Sequence, residues 1–181
     1  MTVDSIDPVV TLASEEYVLQ VRTSPFDCTL SRVTQDKVVA GHCFWQMQAV
    51  WARPEMGAWQ RAVRAEVRSA EADRLVLQLT VEDGSFIDFD ITLVENQLRL
   101  DLRSRMEGGA WLAVDLYAGP DEHYLGFGER FDSLDQRGKE VDLWVEDGAQ
   151  GGLSYIPVPF FLSSAGYGLY IDTKVRCLAR V

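Results

Sequence analysis

Between Val63 and Tyr117 hydrophobic and polar residues alternate with a period of two. Val63, Ala65 and Val67 stand against Arg64, Glu66 and Arg68, and Leu75, Leu77, Leu79 and Val81 follow in the same rhythm. After Asp83-Gly84 come Ile87, Phe89, Ile91 and Leu93, set against Asp88, Asp90 and Thr92. After Glu95-Asn96 come Leu98, Leu100 and Leu102, set against Arg99, Asp101 and Arg103. This period sends successive side chains to opposite faces of a strand. The run therefore predicts consecutive antiparallel strands, each with one buried and one wet face. Asp83-Gly84 has the composition of a hairpin turn. Gly108-Gly109 predicts another turn, leading into a strand from Trp111 to Tyr117.

The same pattern extends upstream. Tyr17, Leu19 and Val21 share one face, Gln20 and Arg22 the other, and Pro25 ends the run. Phe26 to Thr34, a Gln35-Asp36 turn and Lys37 to Ala40 predict a hairpin. The aromatic-rich stretch Phe44 to Trp51 predicts a core strand, and Arg53 to Arg61, with Pro54 and Gly57, a loop. Residues 1–15, with Asp7-Pro8, are expected to be a mobile lead-in. No segment of helical length carries a 3.6-residue period. Two one-sided sheets stacked face to face make an all-β antiparallel sandwich, expected over residues 16–181. The closing run KVRCLARV alternates like a strand and ends without a polar tail, so the parent is expected to continue beyond Val181.

Composition narrows the function classes. A chain of 181 residues with 47% hydrophobic residues is globular and large enough to bury a core. The net charge of −11 argues against nucleic-acid or anionic-membrane partners, which need basic surfaces. MTVDSIDPVVTL lacks the basic and apolar regions of a secretory signal, and no stretch is apolar enough to span a bilayer as a helix. Cys28, Cys43 and Cys177 are odd in number and without paired spacing. They predict free thiols in a reducing cytoplasm, with neither a disulfide framework nor a zinc site. No metal or cofactor is expected. Gly126-Phe127-Gly128 lacks the βαβ setting of a dinucleotide site. His42 and His123 have no Asp or Ser partner at a recognisable spacing and are expected to be structural. Trp45, Trp51 and Trp59 could line a sugar platform, but core packing is the expectation for tryptophan in a globular domain.

The segment Tyr124 to Tyr170 departs from plain strand sequence. It holds Gly126-Phe127-Gly128-Glu129-Arg130, the turn Asp135-Gln136-Arg137-Gly138, Trp144, a Gly-rich loop from Asp147 to Gly152, Ile156-Pro157-Val158-Pro159-Phe160-Phe161 and Gly166-Tyr167-Gly168. Taken singly, the glycines are turn residues and Glu129-Arg130 a surface ion pair. In order, the set resembles the segment that precedes the catalytic barrel in glycoside hydrolase family 31, which includes α-glucosidases, α-xylosidases and sulfoquinovosidases. Ser24-Pro25-Phe26 also resembles the family's opening.

The resemblance implies a galactose-mutarotase-like supersandwich at the N-terminus of a retaining α-glycoside hydrolase. The family's catalytic aspartates lie on a (β/α)₈ barrel, which takes about 250 residues, and their motifs have no match here. No catalytic residue is therefore expected in this chain, which alone should be inactive. Its expected partners are the barrel of the same parent chain and carbohydrate. By resemblance, the loop from Glu146 to Leu153 shapes the active-site rim, with Asp147, Glu146 and Trp144 as the substrate-binding candidates. The aromatic segment Tyr155–Phe161 is expected to expose apolar surface for the barrel. The alternatives are a stand-alone carbohydrate-binding sandwich and a mutarotase-like enzyme, for which neither histidine has the setting.

Overall fold

A computed structural model describes residues 9–34, 37–95, 97–145 and 154–181. The chain divides into two compact units, Met1–Tyr117 and Ala118–Val181. Among the described residues no helix is long and apolar enough to cross a membrane.

Among the described residues of the first unit nine strands follow one another: β1 (Val9–Ala13), β2 (Tyr17–Thr23), β3 (Phe26–Thr34), β4 (Lys37–Pro54), β5 (Gln60–Ala70), β6 (Arg74–Val81), β7 (Phe86–Val94), β8 (Gln97–Ser104) and β9 (Ala110–Leu116). Each of β1 to β7 pairs antiparallel with the next, and β9 returns to pair with β4. The 18-residue β4 joins the two layers. Met47 pairs with both Cys28 of β3 and Leu116 of β9. Further along, Trp51 and Ala52 pair with Arg61 and Gln60 of β5 as well as with β9. Thus β5 takes the edge of β4 that β3 leaves, and β5–β8 form the second layer. Leu19, Val21 and Met47 from one layer and Leu75, Leu77, Leu79, Ile87, Phe89 and Ile91 from the other are fully buried. Phe26 meets Phe89 edge to face with ring centroids 6.0 Å apart. The sequence pattern predicts this sandwich; the wet positions of β6–β8 carry the pairs Arg74–Asp90 and Arg99–Asp101, and Arg105, just after β8, pairs with Asp88 of β7. Such exposed pairs contribute little to stability.

Three expectations need correction. Residues 9–13 are not lead-in: Val9–Ala13 pairs along β2 and buries Leu12. The β-branched run Val9-Val10-Thr11 favours an extended strand. In β5 the inward residues are Ala62 and Ala65, whereas Val63 is 44% exposed. The register shifts between Ala62 and Arg64 and again between Val67 and Ser69. Each such bulge inserts a residue and reverses the facing of those beyond it. Finally, β9 does not extend the β5–β8 meander but crosses to β4, where Trp111 faces Arg53 in register.

The second unit has a three-stranded sheet in the order β10 (Tyr124–Gly128), β12 (Pro157–Ser163), β13 (Tyr167–Tyr170), and a two-stranded ribbon of β11 (Glu140–Asp142) with β14 (Leu178–Arg180). Its core is Tyr124, Phe127, Val141 and Phe161, with Leu143, Tyr167, Leu169, Ala179 and Val181 packed against it. The tilted rings of Phe127 and Phe161 lie 5.0 Å apart.

Candidate functional site

Gly126-Phe127-Gly128 is a backbone device. The β10–β12 register shifts between Gly126 and Gly128, so Phe127 sits in a bulge. Phe127 has φ 67° and is fully buried, an uncommon conformation for a bulky residue. The flanking glycines have φ 138° and 85°. A Cβ on Gly126 would stand 2.6 Å from the Phe160 carbonyl oxygen, and one on Gly128 would stand 2.1 Å from that of Ile156. Both positions thus demand glycine by conformation and by space. The bulge turns Phe127 into the core.

Glu129 and Arg130 have separate surroundings. Arg130 Nε donates to the Phe127 carbonyl at 3.2 Å and its Nη2 to the Asp142 carbonyl at 3.1 Å, which ties β10 to β11. Burial lowers the Arg130 pKa, against the opposing charges of Asp132 and Asp142. Glu129 Oε2 is buried with no hydrogen-bond partner among the described residues. An orphaned buried carboxylate oxygen is an exception in folded proteins.

The turn Asp135–Gly138 and its neighbours form a polar knot. Asp135 accepts from the main-chain N–H of Arg137 at 3.0 Å and of Tyr124 at 3.2 Å, and its Oδ2 lies 2.6 Å from His123 Nδ1. The Arg137 N–H first, then His123, lower the Asp135 pKa to about 2. His123 therefore has an aspartate partner twelve residues along the chain, which the sequence reading did not foresee. A β10-to-turn bridge, Leu125 with Asp135, brings them together. The pair is exposed and fastens the turn to β10. Asp132 bonds to Lys139 Nζ at 2.7 Å, which leads the lowering of its pKa to about 2. Arg137 donates to the carbonyls of Gly119 and Glu122. Gln136 is buried, its side chain donating to Ser133 O and Asp132.

Of the three substrate-binding candidates, Trp144 follows β11 and is 46% exposed. Asp147 and Glu146 lie outside the described residues, as does the Gly-rich loop. Beside them, Ser154 is buried and caps Ile156 N at 3.1 Å. The expected apolar segment divides: Ile156, Val158 and Phe160 are exposed, but Phe161 is buried against Phe127 and Tyr124. Strand alternation explains the split, since Phe160 and Phe161 face opposite ways. Leu125, Leu162 and Tyr170 extend the exposed side across β10, β12 and β13.

The tryptophans of the first unit also divide. Trp45 is buried in the core and drops out of any sugar platform. Trp51 is half-buried, with Nε1 donating to Asp115 at 2.7 Å. Trp59 and Trp111 are exposed and both approach Arg53, whose guanidinium carbon lies 5.0 Å and 5.7 Å from their ring centroids. Sequence alone did not single out Trp111 or Arg53. Only the β4–β9 register brings them together.

Among curated proteins, the chain is 32% identical over 99 residues to the alpha-xylosidase XylQ of Lactiplantibacillus pentosus, covering 49% of this chain and 13% of the relative. It is 34% identical over 84 residues to an alpha-xylosidase of Emericella nidulans, covering 46% of this chain and 10% of the relative. The chain thus spans only about an eighth of the relatives' length or less. Among solved structures it is similar to the cycloalternan-forming enzyme from Listeria monocytogenes in complex with pentasaccharide substrate, at TM-score 0.35 and 16% identity over 93% of this chain and 17% of that one. The family 31 dextranase of Flavobacterium johnsoniae complexed with isomaltotriose gives TM-score 0.33 and 16% identity over 93% of this chain and 22% of that one. The model of the glycosyl hydrolase 31 N-terminal galactose mutarotase-like domain matches residues 2–177, nearly the whole chain, and the chain belongs to that family.

Proposed function

We propose that this chain is the non-catalytic N-terminal β domain of a retaining α-glycoside hydrolase. In this reading it packs on the (β/α)₈ barrel of its parent, and segment 146–153 reaches the rim of the barrel's active site. The observation that carries the reading is the family match over residues 2–177. The exposed side of β10–β12–β13, with Leu125, Phe160, Leu162 and Tyr170, supports a docking face, because contiguous apolar surface of this kind marks a partner. Behind that face lie the glycine bulge and the Phe127–Phe161 core. Asp147 and Glu146 are the residues proposed to hydrogen-bond sugar hydroxyls, with Trp144 beside them. The free thiols Cys28, Cys43 and Cys177 support a reducing, cytoplasmic setting.

The test is kinetic and uses the protein that carries this chain together with its catalytic barrel. Aryl α-glycosides should be cleaved by that protein and left intact by the 181-residue chain. Asp147→Ala should lower kcat/KM for disaccharides more than for aryl glycosides, since only a disaccharide places a sugar beyond the cleaved bond. Equal effects on both substrates would remove segment 146–153 from the site. Turnover by the short chain would overturn the non-catalytic reading.

A further inference from the structure

On the outer face of the β4–β9 pair the guanidinium of Arg53 lies against two indole rings, those of Trp59 and Trp111, which are 42% and 43% exposed. Arg53 and Trp111 are directly opposed across the strands. Trp59 arrives from the loop before β5, where Gly57 packs against Pro54 so tightly that an added Cβ would lie 2.8 Å from the proline ring. Two residues before Arg53 on β4, Trp51 is fixed by its bond to Asp115 and has Arg61 over its ring at 5.9 Å.

We infer that Trp59, Arg53 and Trp111 form a binding site for a short neutral oligosaccharide of pyranose units. The inference rests on the carbohydrate reading above for its ligand class and on the geometry for its location. A guanidinium carries its N–H donors in its own plane. No hydrogen bond or ion pair holds the Arg53 guanidinium among the described residues, and its Nε is buried without a partner. Its terminal donors are thus available to ligand acceptors. Indole presents a flat, weakly negative face that suits the C–H face of a sugar ring, while in-plane donors suit its hydroxyls. A net charge of −11 disfavours a polyanionic ligand, whereas neutral hydroxyls meet no such repulsion.

The experiment titrates the 181-residue chain with isomaltotriose and maltotriose and follows tryptophan emission and heat. Binding with a Kd of about 1 mM is expected. Trp59→Ala and Trp111→Ala should each weaken it about tenfold. Arg53→Lys should weaken it about as much, since lysine keeps the charge and loses the planar fork. Trp59 lies in a surface loop, so its variant should keep the wild-type melting temperature and circular dichroism. An unchanged Kd in Trp59→Ala and Trp111→Ala, or no response by the folded chain up to about 50 mM sugar, would overturn the site. Preference for a glucuronate oligosaccharide over isomaltotriose would overturn the neutral ligand class. If the barrel-bearing protein cleaves α-glycosides while the short chain binds no sugar, this inference fails and the hydrolase reading stands. Sugar binding at Trp59 without any glycoside cleavage by the parent removes the hydrolase reading alone.

Discussion

Gly128 lies so close to β12 that a Cβ on it would stand 2.1 Å from the carbonyl oxygen of Ile156 and 2.6 Å from the N–H of Val158. Both neighbours are main-chain atoms, so neither can swing aside as a side-chain end would. Gly128→Ala should therefore destabilise the chain by more than about 2 kcal/mol, combining positive-φ strain with backbone displacement. Gly84 is the control: its φ is 84°, but open space surrounds its missing Cβ. Gly84→Ala should cost only the conformational part, about 1 kcal/mol. Urea unfolding of the two variants measures the difference, and equal losses would mean that the approach of β12 is not what requires Gly128.

The double bulge of β5 makes a second prediction, which inverts the simple sequence pattern. Ala65 is buried and Val63 exposed, although Val63 is the larger apolar residue. Ala65→Leu should overpack the sandwich and cost about 1–3 kcal/mol. Val63→Lys should change stability by no more than about 0.5 kcal/mol. If Val63→Lys proves the more damaging of the two in urea, the register given by the bulge is incorrect.

That inversion shows where sequence and structure part company. Period-two alternation placed Leu75, Leu77, Leu79, Ile87, Phe89 and Ile91 in the core, because burial of one sheet face acts on every second residue. A bulge adds one residue to one strand and leaves no compositional mark, so β5 was legible as a strand but not in its facing. The pairing of β9 with β4 is a long-range choice made by topology, and so was the meeting of Arg53 with Trp111. The ordered motifs of 124–170 identified the family, but Gly126 and Gly128 turned out to serve a close backbone approach. Asp147 and Glu146 lie outside the described residues. Their role stands as proposed.

Asp132 and Asp135 give the second unit a defined acid sensitivity. Lys139 leads the stabilisation of the Asp132 carboxylate, and the Arg137 N–H leads that of Asp135, each to a pKa of about 2. Both folded values lie below the ordinary aspartate value of about 3.9. The stabilisation is therefore complete above about pH 4 and is lost as pH falls through about 2. The urea midpoint should fall across that window, and in the double variant Asp132→Asn, Asp135→Asn it should fall less steeply. A wild-type midpoint that is flat between pH 4 and 2 would show that these bonds are absent in solution.

Glu122 makes the last prediction, because it is a buried carboxylate amid donors. Its Oε2 accepts from Gly119 N–H at 2.8 Å and its Oε1 from the Ser163 hydroxyl. Desolvation pushes its pKa up, but the bonds from Ser163 and Gly119, joined by those from Tyr167 and Tyr124, outweigh it and hold the value below the ordinary one. Correspondingly, burial first and Glu122 second raise the Tyr167 phenol. The carboxylate is an acceptor at every position, whereas glutamine would bring an NH₂ donor into a ring of donors. Glu122→Gln should cost about 1–3 kcal/mol at pH 7. A lowered folded pKa contributes stability above the unfolded value of about 4.3 and loses it as pH falls below. The gap between wild type and Glu122→Gln should accordingly narrow at about pH 3. The tyrosine phenols should also ionise at lower pH in the variant, since part of what raises them is removed. Urea unfolding at both pH values, with an ultraviolet titration of the phenols, measures this. An identical loss at both pH values, with unmoved phenols, would mean that the charge of Glu122 plays no part in holding β10 to β12 and β13.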